Sequence, residues 1–98
     1  MTISKNAQGS LLELGVEGRL DTTTAPELEA VAKESLEGVT ELKIDFAKLE
    51  YISSAGLRVL LSMQKQMTKQ GSMVVSNVGP DIMEIFDVTG FSDILTIQ

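Results

Sequence analysis

The sequence predicts an α/β fold with one mixed, largely parallel sheet of four to five strands and three to four helices packed against it. Short segments with alternating apolar residues, typical of strands, take turns with longer segments whose apolar residues lie three and four positions apart, typical of amphipathic helices. Glycine, proline and asparagine separate these segments. Because strands joined through helices run parallel, this alternation favours a largely parallel sheet.

The first predicted element is a β-hairpin. Residues 2–7 and 11–17 have strand-like composition and are joined through residues 8–10, which include a glycine. The alternating apolar residues of the second strand are Leu12, Leu14 and Val16. The two strands of a hairpin are antiparallel, which makes the predicted sheet mixed.

A helix should follow the hairpin. Thr24 and Glu27 have the spacing of a capping box, and Pro26 is tolerated in a first turn, where its missing N–H costs nothing. The apolar spacing continues to about Leu36, and Gly38 is placed to stop the helix.

The rest of the chain alternates strands and helices. Strands are predicted at 42–46, 73–75 and 94–97, where short apolar segments occur. Helices are predicted at 54–70 and 80–90, each ending near a glycine. With the hairpin and the first helix, these elements complete the predicted sheet and its helical layer.

Length and composition narrow the class of protein. The chain has 98 residues, of which 43% are hydrophobic and 22% charged, so we expect a single domain over residues 1–98 with one core. Histidine and cysteine are absent, which excludes disulfides, thiolate catalysis and imidazole as a base or metal ligand. We therefore expect no cofactor, no metal and no enzymatic activity.

Charge and hydropathy limit the partners. The net charge of −6 argues against nucleic acid and anionic membranes, which require a basic surface. No apolar segment reaches the roughly 20 residues that cross a bilayer, and the N-terminus does not resemble a signal peptide. We expect a cytoplasmic protein without membrane insertion, a monomer or weak dimer that binds another protein.

Two adjacent serines mark the most informative segment. Ser53 and Ser54 lie where a strand and short loop lead into the helix at 54–70, and the positive end of a helix dipole favours an anion there. At about 100° per residue, Ser54 shares a polar stripe with Arg58, Ser62, Lys65 and Lys69. Ser53 lies nearer the apolar side. Either both serines only cap the helix, or Ser53 is the cap and Ser54 is an exposed, modifiable hydroxyl.

Four segments in order carry a family resemblance. Gly18-Arg19-Leu20-Asp21, Leu42-Lys43-Ile44-Asp45-Phe46, Ser54-Ala55-Gly56-Leu57 and the segment 74–91 together resemble the STAS domain of bacterial anti-sigma factor antagonists over nearly the whole chain. The resemblance implies a switch by partner exchange. An unphosphorylated antagonist binds an anti-sigma factor with serine kinase activity and so frees the sigma factor. Phosphorylation ends that interaction, and a PP2C-type phosphatase restores it.

Carried over residue by residue, the resemblance places the phosphoacceptor on Ser54, the residue that the helix-face argument also selects. In many members of this family Asp precedes the acceptor and Ser or Thr follows it, whereas here the neighbours are Ser53 and Ala55. Ser53 is therefore a second candidate acceptor, and a silent phosphosite is the remaining alternative. The predicted partner-binding residues are Asp21, Ser53, Ser54, Ala55, Gly56, Arg58 and Asn77.

Two of the acidic residues have alternative roles. Asp21 either belongs to the partner surface, as the matching aspartate does in the family, or only caps a helix or shapes a turn. Asp45 is expected to be a partly buried anchor for nearby backbone N–H groups. The functional alternatives are an enzyme, for which no residue cluster argues, and a STAS docking subunit of a larger lipid-transport or sensory complex without a phosphorylation switch.

Overall fold

The sheet has six strands and a mixed direction. The computed structural model describes residues 1–98, and the strands are β1 (Thr2–Gln8), β2 (Leu11–Leu20), β3 (Glu41–Asp45), β4 (Leu49–Ile52), β5 (Ser72–Ser76) and β6 (Thr96–Ile97). The order is β1-β2-β3-β5-β6, with β1 antiparallel to β2 and the remaining pairs parallel. β4 pairs in parallel with the far end of β2.

Three helices and one short 3₁₀ turn complete the chain. The helices are α1 (Ala25–Ser35), α2 (Ser54–Gln70) and α3 (Pro80–Thr89), and the 3₁₀ turn covers Phe91–Asp93. The predicted fold class is confirmed. None of the helices has the length and apolar composition that crossing a bilayer requires.

The helices cover one face of the sheet. Alternate strand residues such as Leu14 and Ile44 are buried against them, whereas Glu13 and Lys43 point to the open face. The core is one cluster of 24 buried hydrophobic residues. It includes Met63, Met67 and Met73, which fill space within the core. Full burial of one such side chain stabilises the fold by about 1.5–3 kcal/mol.

The sheet has one strand more than expected, and this strand supports the start of α2. In β4, Leu49 and Ile52 are buried while the two residues between them are exposed, so the strand lacks the alternation by which strands are recognised in a sequence. Its pairing with Gly18–Leu20 also explains why β2 extends to Leu20 and does not end at residue 17. The pairing of these two distant segments therefore determines both where β2 ends and where β4 forms.

The last strand is shorter than the predicted 94–97. The backbone N–H groups of Ile94 and Leu95 both donate to the carbonyl oxygen of Phe91, at 3.0 and 2.8 Å. These local bonds hold the two residues in a turn, so only Thr96–Ile97 pairs with β5. The prediction was wrong for the first half of this strand.

Candidate functional site

The start of α2 is fixed by Ser53. This residue is extended, with φ −98° and ψ 175°, and its Oγ accepts a hydrogen bond of 3.4 Å from the backbone N–H of Gly56. Its own N–H donates to the carbonyl oxygen of Leu20 at 2.9 Å. Ser53 is therefore the N-cap of α2, as predicted, and joins the helix to the end of β2.

The first turn of α2 lies directly against the sheet. A Cβ atom on Gly56 would lie 2.7 Å from Cγ of Leu20 and 2.9 Å from Cγ1 of Ile52, so only glycine fits without movement of its neighbours. These two residues end β2 and β4, respectively. The close approach holds the preceding residues of α2 at a defined position beside the β2–α1 loop.

Ser54 is the exposed member of the serine pair. Its side chain makes no hydrogen bond within the chain, whereas Ser53 is half-buried and serves as the cap. The backbone N–H groups of Ser54 and Ala55 belong to the first helical turn, where no intrahelical acceptor exists. The hydroxyl of Ser54 is therefore open to solvent, and an anion on it would lie beside unpaired backbone donors.

The polar stripe of α2 has the predicted composition. Arg58, Ser62, Lys65 and Lys69 are all exposed. The opposite side of the helix is buried in the core at Gly56, Val59, Leu60, Met63 and Met67, with Leu57 also buried. There is no acidic residue in the first turn of α2, so the helix presents positive charge along its exposed face.

Asp21 shapes the loop that faces the start of α2. Its carboxylate accepts from the hydroxyl and the backbone N–H of Thr23, at 2.8 and 3.0 Å, and from the backbone N–H of Thr24 at 3.2 Å. The hydroxyl of Thr23 contributes most to holding the pKa of Asp21 below its ordinary value, against the opposing effect of desolvation. The predicted turn role is confirmed, and the partner-binding role remains a prediction.

Arg19 and Tyr51 extend this surface. The guanidinium of Arg19 lies 4.3 Å from the centre of the Tyr51 ring, a cation–π contact, and its Nε lies 3.8 Å from Oδ2 of Asp21. The two residues are paired neighbours on β2 and β4. Tyr51 is one of three large hydrophobic residues that remain exposed.

The predicted capping box of α1 is wrong. Thr24 has helical angles, φ −101° and ψ −22°, and its side chain caps nothing. Its hydroxyl lies 2.7 Å from the carbonyl oxygen of Arg19, to which it donates, and accepts from the N–H of Asp21 at 2.8 Å. An N-cap residue needs extended angles to direct its oxygen at the first turn, and the loop gives Thr24 a different conformation.

A groove of about 390 Å³ lies on the surface between α1 and α2, beside the serine pair. Its lining residues are Thr22, Ala25, Pro26, Glu29, Ala55, Arg58, Val59 and Ser62. Sequence reasoning identified Ala55 and Arg58 but missed Thr22, Pro26 and Glu29. The three-residue spacing of Pro26 and Glu29 on α1 was visible, but only the tertiary packing of the two helices shows that they face Arg58.

Asn77 forms a second cluster with Asp45. Its backbone has φ +56°, and its side-chain amide donates to Oδ1 of Asp45 at 3.0 Å. The same oxygen accepts from the N–H of Ala47 at 2.8 Å, so Asp45 is an anchor as predicted, although it is exposed and not partly buried. No hydrogen bond joins Asn77 to the serine pair, so its place in the partner surface remains a prediction.

Comparison with known proteins establishes the family. The family model of the STAS domain matches residues 2–98 of this chain. This chain belongs to the STAS domain family. The BtrV protein of Bordetella bronchiseptica is 32% identical, with 99% of this chain and 85% of that protein covered. The anti-sigma-B factor antagonist of Bacillus subtilis is 30% identical, with 89% of this chain and 81% of that protein covered.

A solved structure agrees with the fold. The Bacillus anti-sigma factor antagonist SpoIIAA in its phosphorylated form superimposes with a TM-score of 0.77 at 16% identity. The match covers 99% of this chain and 91% of the SpoIIAA chain. At this level of identity the likeness concerns the fold, while the two sequence relatives carry the family assignment.

Proposed function

We propose that this protein is an anti-sigma factor antagonist that works by partner switching. Unphosphorylated, it binds an anti-sigma factor with serine kinase activity and frees a sigma factor for transcription. Phosphorylation of Ser54 ends that interaction. The observation that carries the proposal is the exposed hydroxyl of Ser54, free of hydrogen bonds at the start of α2, in a chain of the STAS family.

The chemistry of the switch is a phosphoryl transfer by the partner. The kinase moves the γ-phosphoryl group of ATP to Oγ of Ser54, ADP leaves, and the hydroxyl proton is lost. A PP2C-type phosphatase hydrolyses the phosphoester and restores the hydroxyl. The STAS protein itself supplies a substrate and a docking surface and needs no catalytic residue, cofactor or metal. Because its partners control transcription, we place this cycle in the cytoplasm.

Phosphorylation is expected to change binding without unfolding the protein. A phosphoserine carries about −1.5 to −2 charges at neutral pH, and a helix N-terminus favours such a charge. The protein already has a net charge of −6. The added charge therefore opposes the docked partner by repulsion and desolvation, while the helix remains intact.

The partner surface we propose surrounds Ser54. It includes Ser53, Ala55, Gly56 and Arg58 on α2, with Asp21 from the β2–α1 loop. Its support is the contact of Ser53 with Leu20 and the groove that Ala55 and Arg58 line together with Thr22. Asn77 is the least supported member.

The phosphorylation site is tested with purified protein, ATP and the anti-sigma factor kinase of the source organism. Intact-mass and fragment analysis should find one phosphate, on Ser54, and none in Ser54→Ala. Phosphate on Ser53 alone would move the switch to that residue. No phosphate on either serine, with stable partner binding, would favour a fixed docking subunit and contradict the proposal.

Partner binding is tested with charge variants. Ser54→Asp should bind the anti-sigma factor at least tenfold more weakly than Ser54→Ala, because it places a negative charge at the proposed interface. Ser72→Asp is the matched control, since Ser72 is also exposed but lies beyond the far end of α2. Equal affinities of Ser54→Asp and Ser54→Ala would refute the switch.

A further inference from the structure

Arg58 is a cation without a partner in the chain. The three ion pairs of the structure join Arg19 to Asp21, Lys33 to Glu29 and Lys48 to Glu17. The guanidinium of Arg58 is in none of them, and its side chain is exposed at the edge of the groove between α1 and α2. It is therefore available to an anion that arrives from outside or is created on the protein.

The position of Arg58 on α2 directs it towards Ser54. Residues four apart on a helix have Cβ atoms about 5–6 Å from each other. Helical side chains also lean towards the N-terminus, so the residue at the later position covers the earlier one. Arg58 is four residues after Ser54, about 6 Å along the helix axis, whereas the next cation on the stripe, Lys65, lies about 16 Å from Ser54 along that axis.

We propose that Arg58 is the internal counter-ion of a phosphate on Ser54, and that this pairing withdraws its guanidinium from a carboxylate of the partner. The inference rests on the proposed function and deepens it. Arginine binds phosphate and carboxylate through the same fork of N–H donors, so one guanidinium cannot serve both fully. Phosphorylation then weakens the complex in two ways, by adding negative charge and by removing a cation from the interface.

The charged groups around the site favour this pairing. Asp21 on the facing loop already has Arg19 within 3.8 Å, and Glu29 on the facing helix has Lys33 within 3.1 Å. Both carboxylates are therefore compensated and compete weakly for Arg58. With no acidic residue in the first turn of α2, a phosphate on Ser54 would be the strongest anion within reach of Arg58.

The first test measures the phosphate directly. Phosphoserine is installed at position 54 during translation, which removes any dependence on the kinase, and ³¹P NMR follows its titration from its usual pKa of about 6. Because a nearby cation favours the dianion, Arg58→Gln should raise this pKa by about 0.15–0.4 pH units. The matched control Lys65→Gln removes an equal charge from the same stripe and should leave it within about 0.1 of the parent. Equal pKa values for the parent and Arg58→Gln would overturn the inference.

The second test measures withdrawal from the partner. The affinity for the anti-sigma factor kinase is determined with and without the phosphate, in the parent and in Arg58→Gln. The variant should bind more weakly when unphosphorylated, and its loss on phosphorylation should be about tenfold smaller than that of the parent. An equal loss in both proteins would refute withdrawal. If phosphorylation leaves the parent's affinity unchanged, the proposed function fails, and the NMR titration alone decides whether Arg58 holds the phosphate.

Discussion

The starts of α1 and α2 are built from similar residues and differ in what their hydroxyls do. At α1 the hydroxyl of Thr24 donates to the carbonyl oxygen of Arg19 at 2.7 Å, accepts from the N–H of Asp21 at 2.8 Å and lies 3.2 Å from Oδ1 of Asp21. At α2 the hydroxyl of Ser54 makes no bond within the chain, because Ser53 serves as the cap. Of the two adjacent serines, one caps the helix and leaves the other hydroxyl free for the proposed switch, whereas the threonine of α1 is held within its own loop.

The two helix starts also show when a capping motif can be read from a sequence. Ser53 follows a strand and retains extended angles, so its oxygen faces the first turn. Thr24 follows a tight turn around Asp21 and has helical angles already. The hydroxyl residue is the same kind in both places, and the preceding backbone decides whether it caps.

The largest effect should come from filling the contact beneath α2. Gly56→Ala places a methyl group within 3.0 Å of Leu20 and Ile52, so we expect a loss of about 1–3 kcal/mol in the free energy of unfolding. The melting temperature should fall by at least about 4 °C. Ala55→Ser, which adds one atom at the neighbouring position, should cost about 0.5 kcal/mol or less. Equal melting temperatures for the two variants would show that the first turn is not tightly packed.

The next effect separates the engaged hydroxyl from the free one. Thr24→Val keeps the shape of the side chain but leaves the N–H of Asp21 and the carbonyl oxygen of Arg19 without their partner, at a cost of about 1–2 kcal/mol. Ser54→Ala should change stability by about 0.5 kcal/mol or less, because its hydroxyl bonds to nothing in the chain. Urea unfolding of both variants measures the difference. A larger loss for Ser54→Ala would reverse the comparison.

A smaller effect tests the cap of α2. The hydrogen bond from Gly56 to Ser53 is long, 3.4 Å, so Ser53→Ala should cost only about 0.5–1 kcal/mol. Ser53→Asp should instead stabilise the protein by about 0.3–1 kcal/mol, because a carboxylate at this position also interacts with the helix dipole. Thermal unfolding at low salt measures both changes. Destabilisation by Ser53→Asp would mean that the serine is fitted to this cap in a way that a carboxylate is not.

The smallest effect concerns acid. The pKa of Asp21 is lowered in the folded protein, mainly by the hydroxyl of Thr23. The stability it contributes is therefore present above its unfolded pKa, about 3.9, and is lost as the pH falls through the lower folded value. Asp21→Asn should be less stable than the parent at pH 7, and the gap should narrow below pH 4. A gap that stays constant from pH 7 to pH 3 would contradict this role.

Much of the fold could be predicted because it depends on local patterns. The helical spacing of α2, the alternation in β2 and β3, and the terminating glycines determined most elements and the fold class. The sequence did not predict β4, because its buried residues do not alternate with exposed ones. Ile94 and Leu95 were assigned to a strand, because the local hydrogen bonds from their N–H groups to Phe91 cannot be recognised from the spacing of apolar residues. Pairing with the distant strand β2 decided the first case, whereas a local turn decided the second.

The sequence by itself determined the exposed stripe of α2 and placed Ser54 and Arg58 on it, since a helical period assigns faces without knowledge of neighbours. Only the tertiary structure decided what surrounds that stripe. The packing of α1 beside α2 brings Thr22, Pro26 and Glu29 to the groove, and the turn around Asp21 engages the hydroxyl of Thr24. The physical reason is range: side-chain direction along one helix is local, whereas a groove or a shared hydrogen bond depends on where separate segments meet.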